Sequence, residues 1–222
     1  MATTPTEEGP ARRRQRREGE RDQDPSIFTQ ILRHLVRTLP GAKAAVLVDK
    51  DGEAVDYAGA LDAFDLKITA AHWQIVLSGI ELGPDHGAVR QIVVRARGRG
   101  YLVRQIHKSY TVVVVLHARA AFAASLRALE EADLRLCAEA GFALPKASAR
   151  WFSVDVQTEP RDRARPVRVR VAEAWQPVEV MGCMVGLRPR ERGFRVRITN
   201  GAELLLVREP SGKWFADERI ER

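Results

Sequence analysis

Apolar positions between residues 26 and 142 fall into segments of two different periods. Three segments repeat with helical spacing, which predicts amphipathic helices. The first follows Ser26, the second follows Asp65, and both residues can act as helix N-caps. The predicted helices therefore span about 26–39, 65–82 and 119–140. The residues that predict their ends are Pro40-Gly41, Gly83-Pro84 and Gly141.

The stretch at 46–59, VLVDKDGEAVDYAG, predicts a β-hairpin. Asp51-Gly52 is a typical hairpin turn, because glycine accepts a positive φ at little steric cost. An EF-hand calcium loop would need oxygen ligands at its first and twelfth positions. Those positions fall on Leu47 and Ala58, which excludes calcium binding of this kind.

Three further strands are predicted at 90–96, 101–107 and 111–117, joined as a meander. The runs AAVLV and TVVVVL are apolar at consecutive positions, which is typical of strands that are covered on both faces. We therefore expect them in the middle of a sheet. DYAG and RQIVVRA are more mixed and suit the edges.

Composition and charge distribution narrow the range of functions. Residues 1–25 are nearly free of apolar side chains and carry six basic and six acidic ones, which predicts a disordered charged tail. The net charge is +7, but basic and acidic residues are interspersed throughout, so nucleic-acid binding is only a secondary hypothesis. With two separated cysteines, no apolar signal segment and no run that could span a bilayer, we expect a cytoplasmic protein.

Residues 26–142 resemble the roadblock (dynein light-chain roadblock-type) family. The resemblance rests on the order of helices and strands and on the stretch PGAKAAVLVDKDGEAVDYAG, which contains the end of the first helix and the hairpin. The resemblance implies an α+β fold, a five-stranded antiparallel sheet with one helix on one face and two on the other. Family members usually dimerise through the second helix and an edge strand, and serve as platforms for small Ras-like GTPases or as adaptors. Bacterial members bind a Ras-like GTPase and can stimulate its hydrolysis without inserting an obvious arginine finger.

The second helix has more apolar surface than packing on one sheet requires. One stripe contains Leu66, Ala70, Trp73, Leu77 and Ile80, and another contains Ile68, Ile75 and Val76. We expect a homodimer or partner interface here, unless the C-terminal region covers the helix. The residues assigned to that interface are Leu66, Lys67, Ala70, Trp73, Gln74, Leu77, Ile92 and Val94. Contacts to a phosphate or partner are assigned to Arg95, Arg97 and Arg99, around the turn after 90–96.

Residues 150–222 predict a separate small all-β, barrel-like domain with about five strands, after a roadblock domain at 26–145. Arginines alternate with apolar residues on its strands: Arg168, Arg170, Arg195 and Arg197. Together with Trp151, Trp175, Phe194 and Trp214, they would form a face for single-stranded nucleic acid. Alternation alone gives the same pattern, with aromatic residues in the core and arginines in solvent.

Signatures of catalysis and of cofactor binding do not occur. Gly212-Lys213 lacks the earlier glycine and the Ser/Thr of a Walker motif, and Arg97-Gly98-Arg99-Gly100 lacks the strand-to-helix setting of a dinucleotide loop. The histidines have no metal-ligand spacing, and Asp85-His86 is more typical of a solvated loop than of an acid–base pair. We therefore expect no cofactor and no enzymatic activity of the chain itself, but a regulator of a partner GTPase. The alternatives are a nucleic-acid-binding protein and an adaptor without a GTPase.

Overall fold

The computed structural model describes residues 22–80, 89–118, 120, 125–143, 151–171 and 173–218. Three helices are present in these ranges: α1 (Ile27–Thr38), α2 (Ala63–Ser78) and α3 (Leu126–Glu139). A first sheet contains β1 (Ala42–Asp49), β2 (Ala54–Gly59), β3 (Gln91–Arg95), β4 (Arg99–His107) and β5 (Tyr110–His117). A second contains β6 (Phe152–Val154), β7 (Val156–Thr158), β8 (Pro166–Val171), β9 (Ala174–Cys183), β10 (Arg192–Ile198), β11 (Glu203–Arg208) and β12 (Trp214–Ala216).

The first sheet is antiparallel with strand order β2-β1-β5-β4-β3, so the two apolar strands lie inside and the mixed strands lie at the edges, as predicted. Alternate residues of β1 and β5 point into two separate cores. Ala45 and Leu47 face α1 and α3, whereas Val46 and Val48 face α2. The arrangement of one helix on one face and two on the other is therefore confirmed.

The β1–β2 hairpin forms as the sequence predicts, and the side chain of Asp49 stabilises its turn. Gly52 has a φ of 86°, and its N–H donates to the Asp49 carbonyl oxygen. The Asp49 carboxylate accepts hydrogen bonds from the N–H groups of Asp51 and Glu53, both at 2.9 Å. Its side chain thus satisfies backbone donors that the turn would otherwise leave unpaired.

Two helix starts differ from the prediction. Ser26 does cap α1, in a reciprocal arrangement with Thr29. However, α2 starts one turn early, because Asp62 and not Asp65 is the N-cap: the Asp62 carboxylate accepts the Asp65 N–H at 3.0 Å. Ser125 caps α3, and the predicted start at 119 lies outside the described residues.

Helix ends also differ in part. α2 ends at Ser78, with Gly79 as its C-cap, rather than at Leu82; the predicted stop at Gly83-Pro84 lies outside the described residues. The end of α3 is set by Gly141, as predicted. Gly141 has a φ of 70°, and the Phe142 N–H donates to the Cys137 carbonyl oxygen in a Schellman arrangement.

The second sheet is an antiparallel barrel of seven strands rather than about five. One of the additional strands arises because the first predicted strand is divided at Asp155. Its first half, β6, pairs with β12, and its second half, β7, pairs with β8, so the sheet closes on itself. We call residues 151–218 the barrel and residues 26–143 the platform. The predicted boundary between them falls on residues 144–150, outside the described ranges.

Candidate interaction surfaces

Helix α2 carries large apolar side chains on the side that faces away from the sheet. Leu66, Ala70 and Leu77 are buried against β1, β4 and β5. On the opposite side, Phe64, Ile68 and Ile75 are 70%, 58% and 71% exposed. No described residue of the barrel covers them, so this face offers apolar area for a partner. We call these three residues the α2 stripe.

The structure thereby changes which residues of α2 can contact a partner. Four of the residues assigned to the interface from the sequence are buried in their own chain: Leu66, Ala70, Gln74 and Leu77. The Gln74 side-chain amide donates to Ser78 Oγ at 3.3 Å and lies 3.5 Å from the Lys50 carbonyl oxygen. Phe64 was missed because the helix was expected to start after Asp65, which hid its spacing of four residues from Ile68.

The edge strand β3 extends this apolar surface beside α2. Trp73 is half-buried and packs on Tyr101 with ring centroids 5.0 Å apart. Val94 pairs with Tyr101, and Ile92 pairs with Val103, on the same face of the sheet. Among the described strands, β3 pairs with β4 alone, so it is an edge strand of the sheet.

Lys67, also assigned to the interface, is bound within the chain. Its Nζ lies 2.7 Å from the Asp22 carboxylate, which also accepts the Tyr57 hydroxyl at 2.8 Å. The hydrogen bond from Lys67, followed by that from Tyr57, lowers the pKa of Asp22. Lys67 therefore fixes the residues before α1 to the N-terminal half of α2.

The three arginines around the β3–β4 turn do not lie on one face. The Ala96 N–H donates to the Arg99 carbonyl oxygen at 2.9 Å, which places Arg97 in an exposed turn. Arg99 lies two residues before Tyr101 on β4, so both point to the α2 side of the sheet. Arg95 is adjacent to Val94 on β3, so it points to the opposite side. Arg99 and the turn residue Arg97 are thus nearer to the α2 surface than Arg95 is.

The opposite face of the platform is occupied by the barrel. Phe215, on β12, is fully buried in the same apolar cluster as Leu32 of α1 and Leu129 of α3. Trp151 packs against this cluster from the barrel side. Sequence reasoning missed this contact, because no residue spacing relates β12 to α1.

A buried ionic cluster joins the same two units. Arg127 of α3 binds Glu191 at 2.6 Å and Glu209 at 3.1 Å, and its guanidinium lies 4.9 Å from the centre of the Trp151 ring. Burial raises the pKa of Glu191, but the hydrogen bond and charge of Arg127 outweigh this and hold the pKa below its ordinary value. Without Arg127, the two buried carboxylates of Glu191 and Glu209 would have no opposite charge and would destabilise the fold.

Ser153, His34 and Glu131 form a second contact between barrel and platform that superficially resembles a hydrolase triad. His34 Nε2 lies 2.8 Å from Ser153 Oγ, but the Glu131 carboxylate lies 3.3 Å from the same nitrogen. A catalytic triad needs the carboxylate on the other ring nitrogen, where it orients the base. Glu131 instead accepts the Ser153 N–H at 3.0 Å, so this group fastens β6 to α3.

The barrel separates its arginines from its aromatic residues. Phe194 and Trp214 are buried in the barrel core with their rings 6.1 Å apart. Arg195 and Arg197 lie on the outside and pair with Glu203. Of the four aromatic residues in the nucleic-acid hypothesis, Trp175 alone is exposed. This arrangement fits alternation between core and solvent better than a stacking surface for bases.

Several solved structures are similar to this chain. A Roadblock/LC7 domain from Streptomyces avermitilis is 27% identical, covers 41% of this chain and 78% of its own, and has a TM-score of 0.37. The gliding protein MglB from Thermus thermophilus is 19% identical, and the match covers 52% of this chain and 89% of MglB, with a TM-score of 0.46. MglC from Myxococcus xanthus is 21% identical, and the match covers 51% of this chain and 99% of MglC, with a TM-score of 0.37.

No family profile matches the sequence, and no curated protein does. The strands and helices of the platform have the order and layers that the resemblance to roadblock folds implies. None of the helices in the described ranges is long and apolar enough to cross a membrane.

Proposed function

We propose that this chain is a non-catalytic platform that forms a homodimer and binds and regulates a small Ras-like GTPase. The observation that carries the proposal is the exposed α2 stripe, which lies on the same side of the sheet as Ile92 and Val94 of the edge strand β3. Among the described residues, α1, α3 and the barrel pack on the other face of the sheet, so the α2 side is the face left for a partner. This is also the surface through which roadblock proteins, which the platform resembles, usually associate.

The dimer is tested with Ile68→Asp. The Ile68 side chain is exposed in one chain, so the substitution leaves the core of that chain intact. In the proposed dimer it would bury an unpaired carboxylate, which costs several kcal/mol, and the dissociation constant should rise by about a hundredfold or more. Light scattering over a concentration series measures the change. Trp73→Glu should have the same direction, but it also removes the contact with Tyr101.

Ile27→Asp is the matched control, since Ile27 is 53% exposed and lies at the start of α1. We expect this variant to associate like the wild type. A wild-type chain that is monomeric at micromolar concentration contradicts the dimer. Equal weakening by the two variants would show that α2 is not the interface.

GTPase regulation is expected to work by ordering the partner's own residues and not by donating an arginine. A donated arginine is worth about 10³–10⁵ in rate. We therefore expect Arg97→Ala and Arg99→Ala each to lose less than about tenfold of any stimulated hydrolysis, or ~1.4 kcal/mol of barrier. Single-turnover hydrolysis with the cognate GTPase is the measurement. A thousandfold loss on removing either arginine, with the complex still formed, would make the chain an arginine donor.

A pull-down with GTP- and GDP-loaded lysate separates the GTPase regulator from an adaptor. Recovery of a GTPase that depends on the nucleotide and is lost in Ile68→Asp supports the proposal. A partner without a GTPase, captured through the same stripe, would leave the dimeric platform in place and assign it an adaptor role instead.

A further inference from the structure

The connection between β9 and β10, residues 184–191, carries an apolar side chain that points into solvent. Val185 is 93% exposed, and Met181, at the end of β9, is 43% exposed. Covering these two side chains with an apolar surface would remove their area from water, which is favourable. We call residues 181–192 the barrel tip.

The shape of this tip is set by packing at its base. The Met184 N–H donates to the Gly193 carbonyl oxygen at 2.8 Å. A Cβ on Gly193 would lie 2.6 Å from Leu187 Cδ1 and 2.9 Å from Met184 Cβ, so the loop needs glycine there. Met184 and Leu187 turn inward, and Val185 between them is left outside.

A second anchor fixes the tip to the platform. Glu191 accepts the Arg188 N–H at 3.2 Å through one carboxylate oxygen and binds Arg127 of α3 through both. The exposed position of Val185 therefore belongs to a loop that is held at its base, at Gly193 and at Glu191.

Positive charge surrounds the apolar tip. Arg165, Arg188 and Arg192 line a depression of about 520 Å³ next to Cys183 and Met184. Arg165 also pairs with Glu159 at 3.9 Å, so Arg188 and Arg192 contribute most to the positive charge there. Two carboxylates also line it, but Glu191 is bound to Arg127, and Asp162 accepts the Ala164 N–H of its own turn. Arg190, in the loop itself, is exposed as well. The tip thus combines aliphatic side chains with an excess of guanidinium groups.

We propose that the barrel tip docks on a lipid surface that carries anionic headgroups. Aliphatic side chains enter the headgroup boundary, while arginines nearby interact with phosphates and carboxylates of the lipids. Single-stranded nucleic acid would instead require exposed aromatic rings. The exposed Trp175 lies at the other end of β9, about 20–25 Å from the tip at the rise of an extended strand.

Sedimentation of the full chain with vesicles tests the proposal. Phosphatidylcholine vesicles that contain phosphatidylserine should bind the chain, and vesicles of phosphatidylcholine alone should bind it much less. Val185→Asp and Arg192→Glu should each weaken binding to the anionic vesicles by about tenfold or more, because one removes apolar insertion and the other reverses a charge. Added salt should weaken the wild-type interaction.

Two controls match these variants elsewhere on the barrel. Val167→Asp changes a 37% exposed valine on β8, and Arg170→Glu reverses an exposed arginine opposite Trp175, at the end of β9 away from the tip. Both should bind like the wild type, and circular dichroism should show all four variants folded. Equal loss in the controls, or no binding of the wild type to anionic vesicles, would overturn the proposal. Salt-dependent binding of an oligonucleotide without binding of vesicles would assign the tip to nucleic acid instead.

Discussion

Replacing Arg127 by methionine is expected to lower the free energy of unfolding by about 3–5 kcal/mol, the usual cost of removing one partner from a buried ion pair. The methionine keeps much of the apolar stem, but it leaves Glu191 and Glu209 as two neighbouring buried carboxylates. It also removes the cation from the Trp151 ring. Denaturation by urea, followed by circular dichroism, measures the loss.

Two further variants show whether the unpaired charges cause this loss. Adding Glu191→Gln and Glu209→Gln to Arg127→Met should recover a large part of the stability, because no buried charge then remains in the cluster. Arg170→Met is the matched control: Arg170 pairs with Glu173 and Asp155 on the surface, where such pairs contribute about 0–1 kcal/mol. Equal losses for Arg127→Met and Arg170→Met would contradict this account of the interface.

Acid should affect the wild type and Arg127→Met in opposite directions. In the wild type, Arg127 outweighs burial and lowers the pKa of Glu191, so the ionised pair contributes stability above the unfolded-state pKa, near about 4.3. That stability is lost as pH falls through this value towards the lower folded-state pKa. Without Arg127, the Arg188 N–H and charge are what still oppose the effect of burial, which raises the pKa of Glu191. We therefore expect acidification to relieve the variant. Melting temperatures at several pH values distinguish the two trends.

Phe215→Ala is expected to cost about 3–5 kcal/mol, as is typical for removal of a large buried aromatic side chain. Phe215 belongs to the barrel, yet its ring packs in the platform core with Leu32 and Leu129. The cavity should therefore loosen α1 and α3 as well as β12. Amide hydrogen exchange in α1 and α3 should accelerate in this variant.

Phe194→Ala is the control for this effect, because Phe194 is buried in the barrel's own core. We expect it to accelerate exchange in the barrel first and to affect α1 less. If Phe215→Ala leaves exchange in α1 and α3 at the wild-type rate, the barrel and platform fold independently, and the shared core contributes little to either.

The local elements were predictable wherever one segment contains the whole signal. The consecutive apolar residues of β1 and β5 indicated central strands, and Ser26 and Gly141 marked helix ends. The start of α2 was wrong because Asp62 and Asp65 are both good caps, and packing of Ala63 against the sheet selects the earlier one. That single turn decides whether Phe64 belongs to the exposed stripe.

Contacts between distant segments could not be predicted in this way. Arg127 and Glu191 are 64 residues apart, and Ser153 is 119 residues from His34. Each is an ordinary polar residue in its own segment, and no periodicity relates the partners. The sequence therefore predicted a platform and a barrel, but it could not place one against the other.

The position of the barrel also determines how many faces of the platform sheet are accessible to other copies of the chain. A sheet with two accessible faces can stack further copies on each side, and such contacts extend without limit unless rotation closes them. Here one side is capped by the chain's own C-terminal strands. In the proposed dimer, each copy places its α2 face on that of the other, which makes the contact isologous, and the pair closes at two. In that proposed dimer, the barrel would prevent further copies from stacking on the opposite face of the sheet.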